Sequence, residues 1–186
     1  MKKLTTVLFA TAISAFILAG CSKSKDKSTL QIRLTDAPTA LEEVNVEIRE
    51  VEVKLHETSR NNEETPRNNE PSTPDNEEWV KLETNSRIYN LLELQNGTEV
   101  VLASAALPSG IVKEIRFILG TNNTVRESGV VYPLEIPSGA SSGLKIKVDK
   151  KLLAELETLT IDFDAALSIK KESNGEYKLR PVLRVK

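Results

Sequence analysis

The feature that most constrains this chain is the regular alternation of aliphatic and polar residues in short runs. Leu30, Ile32 and Leu34 alternate with Gln31 and Arg33, and Leu159, Ile161, Phe163 and Ala165 alternate with Thr160, Asp162 and Asp164. A period of two places one set of side chains on one face of an extended strand, so these runs predict strands with one buried face. Aromatic residues are scarce, with one Trp, three Tyr and four Phe. The core must therefore be built from Val, Ile and Leu, which suit a pleated surface.

Between these runs the chain gives further strand and turn signals. Val44, Val46 and Ile48 keep even parity, whereas Val51, Val53 and Leu55 keep odd parity. One extra residue at Arg49-Glu50 returns both halves to the same face, which predicts a β-bulge. Residues 58–78 carry no large apolar side chain and contain a degenerate repeat, Arg60-Asn61-Asn62-Glu63-Glu64 followed by Arg67-Asn68-Asn69-Glu70. Such composition cannot bury enough surface to offset its ordering entropy, so a disordered loop insertion is expected at 58–78. Asn96-Gly97 between apolar runs predicts a hairpin, because both residues tolerate positive φ. Leu107-Pro108-Ser109-Gly110 predicts a turn into a central strand whose inward residues are Ile111, Ile115, Phe117 and Leu119, and Ser173-Asn174-Gly175 predicts another hairpin. Asp149 is expected to cap one short helical turn. Residues 177–185 are expected to form the last strand, which Pro181 places at an edge or marks at its start. About nine strands with turns at short spacing read as an all-β antiparallel sandwich.

The amino terminus carries a different signal. Lys2 and Lys3 precede an apolar run over residues 4–18 that ends in small residues. That is the pattern of a secretory signal, and it is shorter than the roughly 20 residues needed to span a bilayer. Leu18-Ala19-Gly20-Cys21 resembles the bacterial lipoprotein processing motif, in which the thiol accepts diacylglycerol and the peptidase cuts between Gly20 and Cys21. Cys21 is the only cysteine, so no intramolecular disulfide forms. The expected organisation is a removed signal peptide at 1–20, a tether at 21–28 and a sandwich domain at 29–186. Two or three acyl chains, at about 0.8 kcal/mol per buried methylene, anchor such a chain permanently.

Ser22 stands where enteric-type sorting uses Asp for inner-membrane retention, which points to the outer membrane, with the domain facing the periplasm or the cell surface. Lys23, Lys25 and Lys27 in the tether favour anionic headgroups. The whole chain has a formal net charge of −2, and loss of Lys2 and Lys3 makes the mature form more negative. Nucleic acid is therefore not an expected partner.

A series of motifs then carries a family resemblance over nearly all of the mature chain. Leu34-Thr35-Asp36-Ala37-Pro38, Leu107-Pro108-Ser109-Gly110, Ile115-Arg116-Phe117-Ile118-Leu119-Gly120, Ile136-Pro137-Ser138-Gly139, Ser142-Gly143-Leu144-Lys145, Asp162-Phe163-Asp164-Ala165 and Leu179-Arg180-Pro181-Val182 occur in this order. Together they resemble the lipoprotein family filed as domain of unknown function 4382. The resemblance implies an extracytoplasmic immunoglobulin-like or transthyretin-like sandwich with no established activity. The chain departs from that pattern mainly by its 58–78 insertion and by Val112.

Among side chains with chemistry, Asp36, Asp162 and Asp164 form the candidate metal site. Asp162 and Asp164 share a strand face, and grouped hard oxygen ligands suit Ca²⁺. Lys145, Arg116 or Arg180 would serve equally as counter-ions, giving a salt-bridge cluster instead. Ser138, Ser141 and Ser142 with their glycines make a possible anion cradle or a demanding turn. His56 is the only histidine, and no Gly-x-Ser-x-Gly motif accompanies it. The expected function is a non-catalytic, lipid-anchored binding or assembly module of the envelope, without a resident cofactor. The alternative is a surface module for adhesion that binds carbohydrate or depends on Ca²⁺.

Overall fold

Most of the alternating runs among the described residues become pleated strand, with Ala165 instead opening a helical turn. The structure, a computed structural model, describes residues 27–37, 39–57, 77–137 and 142–186. Its strands are β1 (Lys27–Thr35), β2 (Glu43–Glu57), β3 (Glu77–Lys81), β4 (Glu83–Thr84), β5 (Arg87–Asn90), β6 (Val100–Pro108), β7 (Gly110–Leu119), β8 (Thr124–Glu127), β9 (Val130–Glu135), β10 (Leu144–Lys151), β11 (Leu156–Phe163), β12 (Ile169–Lys171), β13 (Tyr177–Leu179) and β14 (Leu183–Val185). A 3₁₀ turn at Leu91–Leu94 and a single helical turn, α1 (Ala165–Ser168), complete the elements. Among the described residues no helix is long and apolar enough to cross a membrane.

Two packed sheets result. The smaller has five strands in the order β14-β11-β1-β6-β4, and the larger has nine, with β10-β7-β2-β8-β9-β13-β12 in sequence and β3 and β5 also paired to β2. Leu30, Ile32 and Leu34 of β1 meet Val51, Val53 and Leu55 of β2, Ile115 and Phe117 of β7, and Ile161 and Phe163 of β11 in one buried cluster. Burying each such side chain stabilises the fold by roughly 1.5–3 kcal/mol.

The sandwich is not wholly antiparallel. β11 runs parallel to β1, from Thr29 beside Leu156 to Thr35 beside Asp162, and β13 runs parallel to β9. Alternation fixes which face a residue takes but carries no information on strand direction, so an all-antiparallel sandwich was the wrong expectation. The count of about nine strands was also low, because several expected runs divide between the sheets. Pro181 is one cause. It interrupts residues 177–185, sending β13 to the larger sheet and β14 to the smaller, where β14 is an edge.

The bulge in β2 falls where the parity change puts it. Val44, Val46, Ile48, Val51, Val53 and Leu55 are all buried, and the register against β7 slips between Ile48 and Glu50. A second slip, between Lys54 and Leu55, pairs them with Glu114 and Val112 and leaves Lys113 as the extra residue. Val112 therefore points inward with Ile115 and Phe117, correcting the expectation for Ile111. Asp149 does not cap a helix. It lies within β10 at φ +50°, where the register against β7 also slips, and its carboxylate accepts from Lys113 Nζ at 2.9 Å.

Asn96 and Gly97 do form a tight turn with positive φ at both residues, closed by the Thr98 N–H donating to Gln95 O at 3.1 Å. It is not a hairpin, since β5 belongs to the larger sheet and β6 to the smaller. Ser173-Asn174-Gly175 is one, joining β12 to β13. Lys27 and Ser28 belong to β1 rather than to a tether, and Glu77 and Glu78 belong to β3 rather than to the insertion. Residues 1–26 and 58–76, which hold Gly20 and Cys21 and most of the expected insertion, lie outside the described residues.

Strand direction gives the sandwich two ends. The near end holds the start of β1 at Lys27, the β6 to β7 turn at Ser109, the β10 to β11 turn at 152–155 and the termini Glu57 and Glu77. The far end holds Asp36, the Leu91–Leu94 turn, Asp164 and α1.

Candidate functional site

The far end is assembled by β1 and β11 ending side by side. Parallel pairing sets Thr35 beside Asp162, so Asp36, just after β1, and Asp164, just after β11, leave the sheet at the same end. Thr35 Oγ1, with a single proton to share, lies 2.9 Å from Leu94 O and 2.8 Å from Thr98 O, and the Asp36 N–H donates to Leu94 O at 3.0 Å. Asp36 then reaches across to α1, its Oδ1 accepting from the Ala165 N–H at 2.8 Å. Gln95 Nε2 donates to Asp36 Oδ2 at 3.4 Å. Asp164 caps the same helical turn, accepting from the Leu167 N–H at 3.0 Å.

These carboxylates differ in environment. Asp36 has no ion-pair partner within the cluster, and burial pushes its pKa up to about 6, with the nearby charge of Asp162 acting in the same direction and the Ala165 and Gln95 hydrogen bonds opposing it. Asp162 Oδ2 lies 3.7 Å from Lys186 Nζ, and Asp164 Oδ2 lies 3.7 Å from Arg184 Nη1. Asp162 Oδ1 is buried without a hydrogen-bond partner.

The structure thus brings Asp36, Asp162 and Asp164 to one end of the fold but turns two of them toward backbone amides. Among the described residues no group of three or more His, Cys, Asp or Glu side chains is placed to hold a metal ion. The expected counter-ions are elsewhere. Arg116 pairs with Glu52 and stacks on Trp79, with its guanidinium 4.2 Å from the ring centroid. Arg180 pairs with Glu172 at 3.2 Å, and Lys145 lies 5.6 Å from the Trp79 centroid. Arg184 and Lys186 take their place because β14 lies antiparallel to β11 with Arg184 opposite Asp162. Their alternation with Val185 was the available sequence signal, but it named no partner strand.

His56 lies toward the near end, opposite Glu77 and Ile111, and so at the other pole from the three aspartates. Ser138 and Ser141 lie outside the described residues. Gly143 has φ +86°, and a Cβ there would fall 2.5 Å from Arg116 Cγ, so this turn requires glycine both for its backbone and for its close packing. The demanding-turn reading of that segment therefore holds at Gly143.

Beside this turn lies a groove of about 540 Å³ that sequence reasoning did not anticipate. Leu144, Leu179, Pro181 and Leu183 line it with apolar surface, and Lys145 and Arg180 add positive charge. Its walls come from β10 and from the crossover between β13 and β14, segments distant in sequence. An apolar trough with two cations suits an elongated ligand bearing an anionic group.

No curated protein and no solved structure matches the chain. A protein-family model does match, over residues 27–181, which takes in every element from β1 to β13. The chain belongs to the family described as Domain of unknown function (DUF4382).

Proposed function

We propose that the protein is a lipid-anchored envelope module, acylated at Cys21, whose sandwich binds or assembles with a partner without catalysing a reaction. The observation that carries this reading is the spacing of anchor and fold. Cys21, in its Leu-Ala-Gly-Cys context, precedes Lys27, the first residue of β1, by six positions. Six residues reach at most about 20 Å, so the near end stays at the lipid surface while the far end stands away from it. Loops and grooves at the free end of a sandwich are where partners are met.

The two packed sheets support kinship with immunoglobulin-like or transthyretin-like extracytoplasmic domains, with the parallel β1 and β11 pair as a departure. Ser22 after the cysteine supports the outer membrane. The groove favours a ligand with an apolar body and an anionic group over a bare metal ion.

Metabolic labelling with an alkyne fatty acid and an intact-mass measurement test the anchor. The expected product starts at Cys21 with diacylglycerol attached, and Cys21→Ser abolishes the label. A chain that keeps residues 1–20, or starts at Cys21 unmodified, would sink this reading. A thiol introduced by Lys178→Cys is then the only free one, and an impermeant maleimide reads its orientation. Labelling in intact cells means surface display; labelling only after permeabilisation means a periplasm-facing domain.

A further inference from the structure

The near end carries an apolar prominence that the core does not use. In the turn from β10 to β11, Leu152 is 3% exposed, whereas Leu153 is 83% exposed and Leu156 is 54% exposed. Soluble surfaces tolerate single leucines, but these two are presented together on a braced frame. The Leu152 N–H donates to Gly110 O at 3.0 Å, which fixes that side chain into the sandwich. The next two N–H groups, of Leu153 and Ala154, both donate to Glu157 Oε1, at 3.1 and 2.9 Å. Lys150 Nζ holds the other oxygen of Glu157 at 2.8 Å. The Thr29 N–H donates to Glu155 O at 2.8 Å, tying the turn to β1. Leu153 is thus held outward by five polar contacts.

The position of this turn gives it a partner. Thr29 pairs with Leu156 in the β1 and β11 ladder, so the exposed leucines lie beside the start of β1. The chain upstream of Lys27 reaches Cys21 in six residues, about 20 Å at full extension. Exposed Lys27 and Lys151 flank the turn, and Lys23 and Lys25 lie in the connecting segment. Lys150 and Lys113 at the same end are bound to Glu157 and Asp149. Among the described residues the acids at this end include Glu57, Glu77, Glu78 and Glu155, and Glu77 pairs with Lys54. Exposed leucines flanked by Lys27 and Lys151, within reach of an acylated residue, match the two-signal logic of interfacial membrane binding.

We propose that the 152–156 turn is a second, non-covalent membrane contact, in which Leu153 and Leu156 enter the interfacial layer of an anionic phospholipid bilayer. This rests on acylation at Cys21 as proposed above. The contact sets orientation: one acyl anchor leaves a domain free to tumble, and a second point beside it stands the sandwich upright with the groove outward.

The test uses the full acylated protein in vesicles of phosphatidylethanolamine and phosphatidylglycerol. Leu153→Cys, the only free thiol once Cys21 is acylated, carries an environment-sensitive fluorophore, and Lys178→Cys on β13, opposite the Lys170 that follows α1 at the far end, is the control. Lipids brominated along their acyl chains are expected to quench the probe at 153 and shift its emission to the blue, while the probe at 178 is neither quenched nor shifted. A blue shift at 153 without quenching identifies a protein contact, such as a second copy, and overturns the proposal. Equal, unshifted emission at both positions in vesicle-bound protein overturns it as well. Mass spectrometry of the same sample separates the two failures, since a Cys21 without diacylglycerol overturns the anchor and this contact together.

Discussion

Both ends of the sandwich use a carboxylate to hold the backbone of a turn, and the two carboxylates respond in opposite ways. At the far end Asp36 accepts from Ala165 in a buried site with no ion-pair partner among the described residues, and its pKa rises to about 6. At the near end Glu157 accepts from Leu153 and Ala154 beside Lys150, and its pKa is lowered, with the Lys150 hydrogen bond as the leading cause. Amide hydrogen bonds lower the pKa in both places. Burial without a cation decides the first, and a cation at the edge of solvent decides the second. The same device therefore makes the far end proton-sensitive and the near end a charged frame around exposed leucine.

The largest expected effect tests the near end's division between core and surface. Leu152→Ala should destabilise the fold by about 2–5 kcal/mol in urea unfolding, whereas Leu153→Ala should stay within about 0.5 kcal/mol of the parent. Equal losses at these adjacent positions would break the picture of one leucine in the core and one held out.

The next effect concerns the far end and pH. A carboxyl with a raised folded pKa binds a proton in the native state that the unfolded chain lacks, so its stabilising contribution is full below the unfolded value and is lost as pH rises through about 6. A rise from 3.8 to about 6 corresponds to about 3 kcal/mol at most. Asp36→Asn should remove that dependence between the two values and leave stability near pH 7 unchanged or higher. Denaturation series across this range check it, and an unchanged pH slope in the variant would count against burial as the cause.

The smallest effects compare the two caps. Asp164→Ala should lower stability by about 1 kcal/mol through the lost Leu167 bond, and Glu157→Ala by no more than that, with the Lys150 part screened in high salt. The sign of the pH effect sharpens the contrast. The lowered pKa of Glu157 gives a contribution present above the usual glutamate value and lost as pH falls through the lowered one, opposite to Asp36. If Glu157→Ala and Asp36→Asn change the pH dependence of stability in the same direction, the distinction between the ends fails.

Much of the fold was legible in the sequence because it rests on local steric rules. The two β2 parities placed the bulge, Asn96-Gly97 and Ser173-Asn174-Gly175 placed turns through their tolerance of positive φ, and the burial of Leu30, Ile32 and Leu34 in β1 followed from alternation, whereas that of Ser28 and Thr35 did not. Ile111, Asp149 and Pro181 show where such rules stop. Slips in register reverse parity within β7 and fold Asp149 into β10, and a proline that signals an edge does not say which sheet the chain enters next.

The candidate site was legible only as a set of residue types. Asp36, Asp162 and Asp164 do gather at one end, and Leu167 is a local cap partner of Asp164, but the Ala165 amide that meets Asp36 and the cations Arg184 and Lys186 come from chain crossings that no local pattern encodes. The groove is further from view, since its apolar lining from Leu144, Leu179 and Leu183 is built by strands of both sheets.

The sequence by itself determined the all-β class, most of the buried faces and most of the turns, because φ preference and side-chain period act over a few residues. Only the tertiary structure decided that β1 and β11 run parallel, that Asp36 is buried without a cation, and that Leu153 stands out beside the start of β1. Those outcomes depend on which distant segments share a boundary, and burial, charge compensation and exposure are properties of that boundary rather than of any one stretch of chain.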